Sequence, residues 1–168
     1  MTMTPGHLND RSILRFPEEV KGQFSFLETR GFRRKRAGPT LVRYQSPMMG
    51  VNIYHGRQSF EVGLEIDSIS SPTVTYSFSE ILCLVDREKD EQYKNYATHT
   101  AQGVAEGVGQ LANLLQRCVA AGLLEDKQLF TRLKTQRGEI AKAYALETQL
   151  ETRRRCCPRT MRVMASTM

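Results

Sequence analysis

The chain has 168 residues, 40% of them hydrophobic and 25% charged, which is the size and composition of one globular domain and excludes extended disorder. No run approaches the roughly 18 consecutive apolar residues of a membrane helix, and Met1 to Asp10 lacks the apolar stretch of a secretory signal, so the expectation is a cytoplasmic protein with no membrane partner. The net charge of +6 is unevenly spread: +6 over residues 1–60, −6 over 61–110, +1 over 111–152 and +5 over 153–168, so most of the positive balance lies in the tail.

In chain order, residues 1–10 read as a disordered N-terminus, 11–155 as one α+β domain and 156–168 as a basic disordered tail. A first helix is expected from Pro17 to Arg30. Pro17 suits the first helical position, and Glu18 and Glu19 favour the positive end of the helix dipole. Val20, Phe24 and Leu27 share one face, and Gly31 supplies a stop.

Four strands follow. Phe60, Val62, Leu64 and Ile66 alternate with Glu61, Gly63, Glu65 and Asp67, the pattern of a strand with one buried and one polar face. A loop at 56–59 pairs His55 with Phe60, Ile53 with Val62 and Tyr54 with Glu61. A tight turn at Pro47-Met48 sets Tyr44 against Val51, Arg43 against Asn52 and Val42 against Ile53, and a loop at 36–39 sets Phe32 against Val42. The registers agree on one apolar face. They predict a four-stranded antiparallel meander with helices packed on one side, in the order α-β-β-β-β-α-α-α.

The remainder reads as helical. Ser77 and Glu80 form a capping box for a helix to about Asp86. Val104, Val108, Leu111, Leu115 and Cys118 mark a helix over about 101–121, ended by Gly122. A last helix starts near Asp126 with Leu129, Phe130 and Leu133 inward, and runs to about Arg155.

No catalytic constellation emerges. His7, His55 and His99 are far apart, with no metal-ligand spacing, and there is no nucleophile elbow or phosphate loop. Gly103, Gly107 and Gly109 lie within a helix and read as close-packing positions. Cys83 and Cys118 read as small buried hydrophobes, and Cys156-Cys157 lacks zinc spacing. No cofactor and no metal are expected. Glu61, Glu65 and Asp67 could jointly hold a cation, or could simply be solvated acids on a sheet face. Arg33-Arg34-Lys35-Arg36 and the Arg-rich tail could meet phosphates or an acidic protein, or only water.

The outer sheet face is the expected contact surface. It carries Arg33, Leu41, Arg43, Asn52, Tyr54, Glu61 and Glu65, an aromatic anchor among mixed charges.

The string Phe26-Leu27-x-x-x-Gly31-Phe32, then Val42-Arg43-Tyr44-x-Ser46, continues with Val51-x-Ile53-Tyr54-His55-x-Arg57-x-Ser59-x-Glu61-Val62 and Tyr76-Ser77-x-x-Glu80-Ile81-Leu82. Over residues 24–85 it resembles a group of small uncharacterised bacterial α+β proteins, some likened to immunity proteins that neutralise toxins by binding. That resemblance implies a fold and a binding role, and no catalytic residues. The expectation is therefore a non-enzymatic protein-binding module acting through the outer sheet face. The alternatives are nucleic-acid binding through Arg33–Arg36 and the tail, and a metal-assisted hydrolase using Glu61, Glu65 and Asp67.

Overall fold

Strict alternation of apolar and polar residues makes the centre of the sheet, and its strands pair by simple hairpins. The computed structural model describes residues 11–156. Strands β1 (Arg33–Ala37), β2 (Leu41–Gln45), β3 (Met49–His55), β4 (Glu61–Ser68) and β5 (Ser71–Ser77) lie in sequence order, each antiparallel to the next. A sixth, two-residue strand, β6 (Tyr96–Ala97), pairs with Glu61 and Val62 at the start of β4. The chain is thus α+β with an antiparallel sheet, but two strands more than the expected four. Strand β5 escaped detection because Ser71–Val74 are exposed, Pro72 removes a donor, and only Val74 and Tyr76 suggest alternation.

Two registers also differ from expectation. His55 pairs with Val62, Ile53 with Leu64 and Tyr54 with Gly63, two residues from the expected pairing. Phe60, expected to open the strand, instead has φ 55° and closes the loop. Its N–H bonds to Gly56 O at 3.1 Å, and Gly56 N–H bonds to Glu61 O at 2.8 Å. A two-residue slip leaves every side chain on its expected face, because the strand period is two.

At the other hairpin Ala37, not Phe32, pairs with Val42, and a bulge separates Arg34 from Arg36. The basic run expected partly in a loop is therefore an edge strand. An edge tolerates cations on both faces, since solvent reaches both. The Ser46–Met49 turn forms as expected, with Ser46 N–H donating to Met49 O at 2.9 Å.

A short 3-10 turn (Arg11–Leu14) leads into α1 (Phe16–Gln23) and α2 (Ser25–Thr29), which together replace the single expected helix. Phe24 leaves helical geometry between them, and its ring, Val20 and Leu27 are all fully buried. Helix α3 (Phe78–Val85) starts from the Ser77–Glu80 capping box, and a short α4 (Arg87–Gln92) follows it. Helix α5 (Ala101–Ala120) is capped by the Thr100 hydroxyl, and Gly122 follows with φ 93°.

One sheet face, lined by Val42, Tyr44, Val51, Ile53, Val62, Leu64 and Ile66, joins Phe16, Val20, Phe24, Ile81, Val108, Leu111 and Leu115 in a single buried cluster. Each such side chain contributes about 1.5–3 kcal/mol on burial. Two of the three α5 glycines serve close packing, though against strand and loop. A Cβ at Gly107 would press on Tyr96 and Val62, and one at Gly103 would collide with Thr98, while Gly109 faces open space.

The chain divides into two compact units after Leu133. In helix α6 (Leu129–Cys156), Leu129 and Leu133 belong to the first unit and are buried. The rest of the helix forms the second unit and exposes Ile140, Tyr144, Leu146 and Leu150. Of the stretches expected to be disordered, 1–10 and 156–168, Cys156 ends helix α6, and 1–10 and 157–168 lie outside the described residues. No helix among the described residues is long and apolar enough to cross a membrane.

Candidate interaction surface

The face turned away from the buried cluster is organised in rows that cross the strands. One row runs Arg33, Gln45, Gly50, Asp67 and Thr75; the next runs Arg36, Arg43, Asn52, Glu65 and Ser77; a third holds Leu41, Tyr54 and Gly63. Glu61 lies further along β4, opposite Ala97. All seven residues read as a contact surface thus share this face. Arg33 is exposed, and Leu41, Arg43, Asn52, Tyr54, Glu61 and Glu65 are half-buried. Arg36 joins them, which the sequence reading missed by placing it in a loop.

Two glycines shape the face. At Gly50 a Cβ would collide with the Arg43 guanidinium, and at Gly63 with the Tyr54 ring, so both long side chains lie flat across the strands. Arg43 thereby reaches Asp67, which is 1% exposed. Its Nη2 donates to Asp67 Oδ1 at 2.9 Å and its Nη1 to both Asp67 Oδ2 and Asn52 Oδ1. The Asn52 amide donates to Asp67 Oδ2 at 3.0 Å, so the carboxylate is held by three donors. This hydrogen-bonded pairing raises the Arg43 pKa further above its already high ordinary value.

Asp67 is therefore not a solvated ligand beside Glu61 and Glu65, and Arg43 is as much a structural group as a contact residue. Tyr54 lies nearer the acids. Burial first, then Glu65 and Glu61, pushes its phenol pKa up. Tyr93 borders this corner, donating to Asn95 Oδ1 at 2.7 Å, and its pKa is raised mainly by burial.

The charges on the face are sorted by strand. Arg33 and Arg36 stand on β1, Glu61 and Glu65 on β4, and none of their side chains has a hydrogen-bond or ion-pair partner among the described residues. Between them the Arg43–Asp67 pair cancels internally.

A second polar cluster lies at the other end of β3, on the inner side. His55 is fully buried. Its Nε2–H donates to Thr98 O at 3.0 Å, and its Nδ1 accepts from Arg11 Nη1 at 3.1 Å. Arg11 also donates to Gly56 O and Arg57 O and lies over the Phe60 ring, 4.7 Å from its centroid. His99 packs on the same ring at 4.0 Å. Two histidines judged remote in sequence thus meet across Phe60, a juxtaposition without any periodic signature. The cluster ties the N-terminal turn and the strand after α4 to the β3–β4 loop.

Clefts flanking α5 measure about 210 and 220 Å³, below the roughly 300–1,000 Å³ of small-molecule pockets. No three His, Cys, Asp or Glu residues are grouped as a metal site among the described residues. Comparison of the chain with known protein families, curated proteins and solved structures finds no match.

Proposed function

We propose that this chain is a non-catalytic protein-binding module and that the outer face of its sheet is the contact surface. One observation carries the reading: a flat face holds an aromatic side chain and unpaired charges of both signs, on a scaffold stiffened by the Arg43–Asp67–Asn52 network. Aromatic and arginine side chains held in place before contact reduce the ordering cost of association. An immunity-like role, blocking a toxin by binding it in the cytoplasm, is one use such a face would serve.

A second reading, nucleic-acid binding, is favoured by a specific feature. All five residues of β1 are exposed, four of them consecutive cations. Glu61 and Glu65 on the same sheet face oppose it.

The test is a cross-linked capture from the native source with the chain as bait, with and without nuclease, comparing wild type with Glu61→Lys/Glu65→Lys. Both glutamates are half-exposed, so thermal unfolding should be unchanged to within about 0.5 kcal/mol. A nuclease-resistant protein partner that the variant loses supports the reading. Partner loss on nuclease treatment, or undiminished capture by the folded variant, overturns it.

A further inference from the structure

The outer face is electrically two-sided, and the sides cannot reach each other within one copy. In the row Arg36–Arg43–Asn52–Glu65, the first and last residues stand three strands apart, roughly 14 Å at ~4.8 Å per strand. Arg36 and Glu65 accordingly have no ion-pair partner among the described residues, and neither do Arg33 and Glu61. The middle of the row is neutralised by Arg43 and Asp67. A surface with cations on the edge strand β1, carboxylates on β4 and a neutralised centre between them matches a copy of itself turned over.

We infer that the partner of this face is a second copy of this chain, packed face to face about a two-fold axis parallel to the strands. The inference rests on reading the outer face as the contact surface. The charges choose the axis. An axis parallel to the strands carries β1 of one copy over β4 of the other, whereas one across the strands carries β1 over β1 and sets like charges together.

A rotation parallel to the strands also preserves the row. Arg36 of each copy then stands over Glu65 of its mate, giving two equivalent ion pairs, as an isologous interface requires. Facing sheets lie ~10 Å apart with strand directions within about 30°. One arginine and one glutamate side chain span that gap end to end. The Arg43 guanidinium lies flat over Gly50 and the Tyr54 ring over Gly63, so neither of these long side chains stands upright in the gap.

Four strands of five to eight residues cover roughly 400 Å² in plan, about half of the ~800 Å² per partner of a stable interface. The dimer is therefore weak and reversible, and its exposed ion pairs make it salt-sensitive.

Sedimentation equilibrium of the full chain, from micromolar to millimolar concentration and at low and high salt, tests this with a charge swap. Wild type should self-associate, with its Kd rising at least about tenfold at high salt. Arg33→Glu/Arg36→Glu leaves the face acidic throughout, and Glu61→Lys/Glu65→Lys leaves it basic throughout. Each should be monomeric alone, while an equimolar mixture should associate, because the charges facing each other at positions 36 and 65 are then opposite in sign. The neutral variants Arg36→Gln and Glu65→Gln should weaken association without reversing charge, and they serve if a double variant unfolds.

Wild type that stays monomeric, variants that dimerise like wild type, or a mixture that fails to associate overturns the self-partner. If wild type is monomeric yet captures another protein that Glu61→Lys/Glu65→Lys loses, the self-partner fails while the outer-face reading stands. If that capture is also unaffected, both fall.

Discussion

The two faces of one sheet are held by different physics. On the inner face, Val42, Ile53 and Leu64 stand in one row and are at most 1% exposed, so apolar burial fixes them. On the outer face, stability comes from a few long side chains laid over glycines, with Arg43 holding Asp67. The inner face resists change anywhere along it. The outer face resists change only at that network, and its other residues are left available for recognition.

The largest expected effect breaks the inner face. Ile53→Ala removes a fully buried side chain from the central strand and should cost about 3–4 kcal/mol, read by urea unfolding. Glu65→Ala, one pairing row away on the other face, should change stability by less than about 0.5 kcal/mol. Equal losses would mean that the two faces do not divide as argued.

The next effect lies at the exception on the outer face. Arg43→Ala leaves Asp67, 1% exposed, with only the Asn52 amide as side-chain donor, and should cost about 2–3 kcal/mol. The figure sits below that of a fully buried pair because the Arg43 side chain keeps 22% of its surface in solvent. Arg43→Ala/Asp67→Asn should recover part of the loss, since no uncompensated charge remains. A double-mutant cycle in urea checks this; a double variant no more stable than Arg43→Ala would assign the loss to packing instead.

The same division explains what was legible in the sequence. Faces were legible because a period of two survives a register error: the β3–β4 pairing lies two residues from the expected one, yet the residues that do pair keep their assigned faces. The turn at Pro47-Met48 and the capping box at Ser77 were legible because both are local chemistry. Strand β5 and the length of the β3–β4 loop were not, because they depend on tertiary partners. Ser71–Ser77 has little apolar pattern of its own, and Phe60 leaves the strand to pack among Arg11, His55 and His99.

The candidate surface was legible as a set of residues on one face, but not as a structure. Nothing in the spacing of Arg43, Gly50 and Asp67 announces that a glycine would clear a path between an arginine and an aspartate. Nor does the run Arg33–Arg36 reveal that a bulge carries it along a sheet edge with Arg36 beside Arg43.

The smallest effect sharpens the comparison at the one buried ionisable group on the inner side of β3. His55 has a lowered pKa, first because burial disfavours its charged form and then because Arg11 and His99 stand close. Its bonds to Thr98 and Phe60 backbone act in the opposite sense. The Arg11 guanidinium donates to Nδ1, which an added proton would occupy, so acid sets a cation against a cation. In the unfolded chain this imidazole takes up its proton near the ordinary value of about 6.5. Between that value and the lower folded one, the unfolded state binds more protons. Stability is therefore fully present above about pH 6.5 and is lost as the pH falls toward the folded pKa.

Urea unfolding between about pH 5 and 8 should show this decline, and His55→Gln should flatten it. Arg11→Ala should move the His55 titration, followed by its ring proton resonances, back toward the ordinary value, because one of the two nearby cationic influences is gone. A His55 titration unchanged by Arg11→Ala would leave burial, with His99, as the cause. The N-terminal turn would then be a passive cover over the β3–β4 loop, and only the outer face of the sheet would owe its properties to charge.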